Sequence, residues 1–120
     1  MPEQIDVLHV DDDPSVLDLT SAYLDRELAS VAVTSVTDPT EALDRLSEGA
    51  FDCVVSDYDM PGMDGLAFFD ALRERDRRVP FVLYTGKGSE EIASQALNAG
   101  VTGYFQKGGP EQLRRLANRV

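Results

Sequence analysis

Cysteine is nearly absent from these 120 residues: Cys53 stands alone, so no internal disulfide can form, and a cytoplasmic setting fits. There is no tryptophan and a single histidine, His9. No apolar run approaches the roughly 20 residues of a membrane span. The opening residues, MPEQ, lack the basic and apolar regions of a secretory signal. These features argue against a membrane-spanning or Sec-exported chain. Positive charge is scarce: 11 Lys and Arg face 22 Asp and Glu, for a net charge of −11. Direct nucleic-acid binding is therefore not expected, because phosphate contacts need a basic surface. Only Lys87 and Lys107 are lysines, against nine arginines, and Asp outnumbers Glu by 14 to 8. A solvated acidic surface poor in lysine resembles proteins adapted to high salt, where screening removes much of the self-repulsion.

What remains is ordinary globular material, 42% apolar and 28% charged, and its length predicts one domain over residues 1–120. Short apolar runs alternate with helix-period stretches from end to end. Strands are predicted over Ile5–Val10, Val31–Val36, Phe51–Ser56, Val79–Tyr84 and Thr102–Phe105. Asp13-Pro14 and Asp38-Pro39 are helix-start signals, an N-cap followed by proline at the first helical position. Further helices are predicted after Gly65, after Ser89 and from Pro110. Five strand-helix units predict an open, doubly wound α/β sheet with helices on both faces. In such folds ligands bind beyond the carboxyl ends of the strands.

The residues at those ends carry chemistry: Asp11, Asp12 and Asp13 after the first strand, Asp57 after the third, Thr85 after the fourth and Lys107 after the fifth. Adjacent first and third strands would gather Asp11, Asp12 and Asp57 in one cleft. Two like charges about 4 Å apart repel by about 4 kcal/mol at an effective dielectric of about 20. A hard divalent cation would offset this, and Mg2+ suits a few carboxylates with water and a phosphate oxygen. Lys107 offers a point charge and Thr85 a hydroxyl to phosphoryl oxygens. A carboxylate beside such a metal can attack phosphorus and form an acyl phosphate. Judged singly, several of these residues read more blandly. Asp13 is a helix cap, Thr85 a strand residue and Tyr104 a core aromatic. Cys53 is a small core residue and His9 a strand residue facing a helix. Arg73, Arg75, Arg77 and Arg78 suit the end of a helix dipole.

Taken together, VLHVDDDP over 7–14, FDCVVSDYDMPGMDG over 51–65, FVLYTG over 81–86 and GYFQK over 103–107 resemble the receiver domain of two-component response regulators. The resemblance spans the whole chain. It implies a flavodoxin-like (βα)5 three-layer sandwich with strand order 2-1-3-4-5, an order that spacing alone does not give. It implies Asp57 as phosphoacceptor from a sensor histidine kinase phosphohistidine. Mg2+ would be held by Asp11, Asp12, Asp57 and the Asp59 backbone carbonyl. Thr85 and Lys107 would meet the phosphoryl group, with Thr85 and Tyr104 as the switch to a docking face for a downstream effector. The expected state is a monomer or weak dimer. The runs around Thr85–Glu91 and Tyr104–Gly109 look like receivers of salt-loving archaea, which often precede sensory and kinase modules. The chain thus fits a free-standing receiver or the N-terminal part of a longer regulator or kinase. Gly108 follows Lys107 where the family usually has proline, and Asp59 and Lys87 fall where the family tunes dephosphorylation.

Two other readings compete. Asp57-Tyr58-Asp59 after an apolar strand also resembles the nucleophile and acid of haloacid-dehalogenase-type phosphohydrolases. Those enzymes place that pair on their first strand and need a longer chain, and Asp11 and Asp12 would have no role. A degenerate receiver that only binds partners is opposed by the intact Asp11, Asp12, Asp57, Thr85 and Lys107.

Overall fold

Period-two alternation in the first strand sends Val7 to one side of a sheet and Leu8 and Val10 to the other, and both sides are buried. A strand apolar on both faces needs a layer on each. The computed structural model supplies them; it describes residues 4–28, 30–49, 51–75, 79–86 and 90–107. In chain order these form β1 (Ile5–Val10), α1 (Pro14–Glu27), β2 (Val31–Val36), α2 (Pro39–Glu48), β3 (Cys53–Ser56), α3 (Gly65–Glu74), β4 (Phe81–Thr85), α4 (Glu90–Ala99) and β5 (Gly103–Gln106). The helix expected from Pro110 lies outside the described residues, as do Arg77, Arg78 and Lys87.

All strand pairs are parallel and the order is β2-β1-β3-β4-β5, the doubly wound arrangement expected. On one face Leu8, Val10, Val54, Phe81 and Leu83 pack against α2, α3 and α4 through Leu43, Leu46, Phe68, Phe69, Leu72 and Ala96. Phe81 meets the rings of Phe68 and Phe69 at 5.7 and 5.1 Å, tilted or edge-on as aromatic quadrupoles favour. On the other face Val7, Cys53, Val55, Val82 and Tyr84 pack with Leu24 of α1.

The helix starts are where the sequence puts them. Asp13 accepts from Ser15 N and Asp38 from Thr40 N, each at 2.9 Å, with proline opening each helix. Strand limits shift by a residue or two. β3 starts at Cys53 instead of Phe51, although Asp52 N still donates to Asp6 O at 2.8 Å. β4 starts at Phe81 because Pro80 has no N–H to give the ladder, and it runs on through Thr85. β5 is Gly103–Gln106, one residue later than expected.

Candidate phosphoryl and metal site

The β1–β3 register, ending Val10↔Ser56, sets Asp11 beside Asp57 just past the strand ends, and Asp57 N donates to Val10 O at 2.9 Å. The pleat then sorts the side chains. Asp11 and Asp57 continue the Val7 and Val55 rows on the α1 side, and Lys107 continues the Phe105 row on that same side. Thr85 continues the Leu83 row on the opposite side, next to Tyr104, the register partner of Leu83. The site therefore straddles the carboxyl edge of the sheet.

Asp11, Asp12, Asp13, Asp57, Asp59, Thr85, Gly86 and Lys107 line one open cleft of about 290 Å3. Asp11, Asp12 and Asp57 each bring a carboxylate oxygen within 4.8 Å of the others. Asp11 is fully buried and Asp57 is 6% exposed, whereas Asp12 faces solvent. Backbone amides orient the buried pair: Asp13 N donates to Asp11 Oδ1 and Tyr58 N to Asp57 Oδ1, each at 2.9 Å. The Lys107 ammonium lies 2.5 Å from Asp11 Oδ2 and 3.5 Å from Asp57 Oδ1. Its contact with Asp11 is a close ion pair, not an aligned hydrogen bond. Lys107 is held by its own backbone, whose N–H donates to Thr85 O at 2.9 Å.

Burial pushes the Asp11 carboxyl above its usual range, and the Asp57 charge adds to this, while Lys107 and the Asp13 amide oppose it. Burial also drives His9, one pleat below Asp11, down to about 3, with Lys107 reinforcing the shift. His9 is thus a neutral imidazole, and neither ring nitrogen has a hydrogen-bond partner among the described residues. Tyr84, on the same side, is raised first by burial and then by Asp11. Clustered carboxylate oxygens with one ammonium among them suit a hard cation that keeps part of its water shell, and Mg2+ meets that description.

The sequence-predicted residues Asp11, Asp12, Asp57, Asp59, Thr85 and Lys107 thus converge. Tyr104 lies outside the cleft, half-buried against the core, with its hydroxyl buried and unpaired among the described residues. Sequence reasoning missed Gly65. Its N–H donates to Tyr58 O at 2.7 Å, closing the loop that follows Asp57. A Cβ there would collide with the Asp57 carbonyl oxygen, with Leu83 Cδ1 at 2.8 Å and with Tyr58 Cα at 3.0 Å. The signal was a glycine directly after the N-cap Asp64, where a helix gains nothing from it.

The response regulator receiver domain family matches residues 7–120. The C4-dicarboxylate transport transcriptional regulatory protein DctD of Rhizobium meliloti is 39% identical over 101 residues, 84% of this chain but 22% of that protein. The bacterioopsin transcriptional activator of Halobacterium salinarum is 31% identical over 88 residues, 73% of this chain and 13% of that protein. The chain thus spans a minor part of these longer relatives. The structure of chemotaxis response regulator CheY4 of Vibrio cholerae superposes with a TM-score of 0.84 at 31% identity, covering 97% of this chain and 98% of that one.

Proposed function

The chain belongs to the response regulator receiver family, a family of signalling domains and not of turnover enzymes, and from that premise we propose that it accepts a phosphoryl group on Asp57. The observation that carries this reading is the convergence of a buried Asp57, two further aspartates and Lys107 in one open cleft. The donor is a phosphohistidine of a sensor kinase. An Asp57 carboxylate oxygen attacks phosphorus, the P–N bond breaks, and its electron pair leaves on the imidazole nitrogen. The product is an acyl phosphate.

Asp11, Asp12, Asp57 and the Asp59 carbonyl would hold Mg2+, which when bound supplies positive charge to the phosphoryl oxygens. Asp57 is taken as the nucleophile from its place at the end of β3 in the family resemblance; Asp11 also lines the cleft and accepts a backbone N–H, but its Oδ2 sits against Lys107 at 2.5 Å, and Asp12 faces solvent. Lys107 pairs with the phosphoryl oxygens, exchanging its carboxylate partner for them. Thr85 donates its hydroxyl to another. Movement of Thr85 reaches Tyr104, its neighbour on the same sheet face, and through it the surface formed by α4 and β5. An effector, or an output or kinase module in the same polypeptide, reads that surface.

Residues 1–120 form one such domain, monomeric or weakly dimeric, acting in the cytoplasm without touching nucleic acid itself. None of the described helices is long and apolar enough to cross a membrane. The test is incubation with a phosphoramidate, a P–N donor, in Mg2+. The expected result is a single hydroxylamine-labile phosphoryl group per chain, absent when EDTA replaces Mg2+. Repeated turnover of a phosphate ester would point to the phosphohydrolase reading. No label with Mg2+ present would point to a receiver that only binds.

A further inference from the structure

The sheet has one edge that lacks the usual protection. β2 lies at the end of the strand order and pairs only with β1, from Ile5↔Val31 to Val10↔Val36. Its outer backbone groups are therefore unmatched by any described strand. Natural edge strands are normally blunted by lysine, proline, an inward charge, a bulge or shortness. β2 has none of these: it is six residues long, reads VAVTSV, and keeps an unbroken register with β1. The opposite edge, β5, is four residues long and opens with glycine.

Beside the β2 edge runs a groove of about 520 Å3 between β2 and α1. Val31, Val33 and Ser35 form its floor, and Asp18, Ser21 and Asp25 stand along the α1 wall. Asp18 and Asp25 are exposed, and neither has an ion pair among the described residues. Among the described residues, no basic side chain lines the groove. Seven residues apart on a helix, these two carboxylates are separated by roughly 10 Å along its axis. Residues i and i+4 of an extended strand are roughly 13 Å apart on one face, which flexible cationic side chains can reconcile with that spacing.

We propose that this groove and edge take an extended basic peptide segment, which adds to the sheet beside β2 and sets cationic side chains against Asp18 and Asp25. Strand addition gives backbone hydrogen bonds and little selectivity; the aspartates select the charge. A second copy of this chain is the poorer occupant. Pairing two β2 edges would bring the Asp18 and Asp25 pairs of two chains of net charge −11 together. The surface is distinct from the cleft that holds Asp57, with which it shares no lining residue among those described.

The test uses the whole chain and two synthetic peptides, Lys-Thr-Val-Thr-Lys and its Glu-Thr-Val-Thr-Glu counterpart, both with blocked ends. Amide NMR shifts are followed during titration. The expected result is saturable shifts at 31–36 and at Asp18 and Asp25 with the lysine peptide, and none with the glutamate peptide. Asp18→Asn with Asp25→Asn should weaken the lysine peptide about tenfold, as two exposed ion pairs allow. Phosphorylation of that variant should be unchanged, which shows that it is folded. With the peptides, any of these results would overturn the proposal: no saturable shifts, shifts away from β2, equal binding of the two peptides, or undiminished binding by the double variant. Concentration-dependent dimerisation that shifts the same β2 amides without peptide would overturn it in favour of self-association.

Discussion

Lys107 is committed to Asp11: its ammonium lies 2.5 Å from Asp11 Oδ2 but 3.5 Å from Asp57 Oδ1. The cation that the proposed chemistry assigns to the phosphoryl group thus neutralises a proposed metal ligand beforehand. On that reading Lys107 and Mg2+ would compete for one carboxylate, and phosphorylation would resolve the competition by giving Lys107 another anion in place of Asp11.

Lys107→Met should therefore tighten Mg2+ binding, by about fivefold to tenfold, since a released partly buried ion pair is worth about 1 kcal/mol or slightly more. Isothermal titration of Mg2+ into both proteins checks this. Unchanged or weaker binding by the variant would contradict the competition.

Asp11→Asn should abolish Mg2+ binding and yet stabilise the fold. Burial raises the Asp11 carboxyl above its unfolded value, so the folded state holds that proton more readily. Its contribution is fully present below the unfolded value and is lost as pH rises through the raised one. At neutral pH the ionised group is thus a cost. Asparagine keeps the acceptor for Asp13 N and removes the charge. The direction of the Asp11 shift sets the sign: thermal melting in metal-free buffer should show a higher Tm for Asp11→Asn than for the natural chain. A lower Tm for the variant in metal-free buffer would contradict this.

His9 should make the protein acid-sensitive. Its folded value is pushed down to about 3 from 6.5, so below pH 6.5 the unfolded chain takes up a proton that the folded one refuses. Stability from this group is complete above 6.5 and is lost as pH falls toward 3. Between about pH 7.5 and about pH 5 the loss comes to about 2 kcal/mol. Urea denaturation at both pH values should show that loss in the natural chain and far less of it in His9→Leu. Equal losses would contradict the assignment.

Much of this site was legible because strand ends in a parallel sheet are legible. Asp11, Asp57, Thr85 and Lys107 each close an apolar run, and the fold brings those ends to one edge. What was not legible depends on close approach and side-chain reach. Gly65 reads as an ordinary turn glycine until the backbone of Asp57 and Tyr58 is seen against it. That Lys107 prefers Asp11 to Asp57 rests on an ångström of side-chain placement. The starts of β3 and β4 were misplaced because Phe51 and Val79 are apolar, and apolarity says nothing of where the ladder begins. His9 could be placed on a strand but not shown to lie wholly buried without a hydrogen-bond partner among the described residues.

Salt should stabilise the protein. The net charge of −11 favours expansion through self-repulsion, and the Debye length falls from about 10 Å at 0.1 M to about 3 Å at 1 M. Tm should rise by at least about 5 °C between roughly 50 mM and 2 M NaCl, a gain of about 1 kcal/mol or more. Equal Tm across that range would contradict adaptation to salt.

The central claim is that Asp57, and no other aspartate of the cluster, takes the phosphoryl group. Reducing the phosphoramidate-treated protein with borohydride and sequencing its peptides by mass spectrometry locates the acyl phosphate directly. The expected result is homoserine at position 57 alone, and none in Asp57→Asn. Reduction at Asp11, Asp12 or Asp59, or a label that survives in Asp57→Asn, would contradict the account.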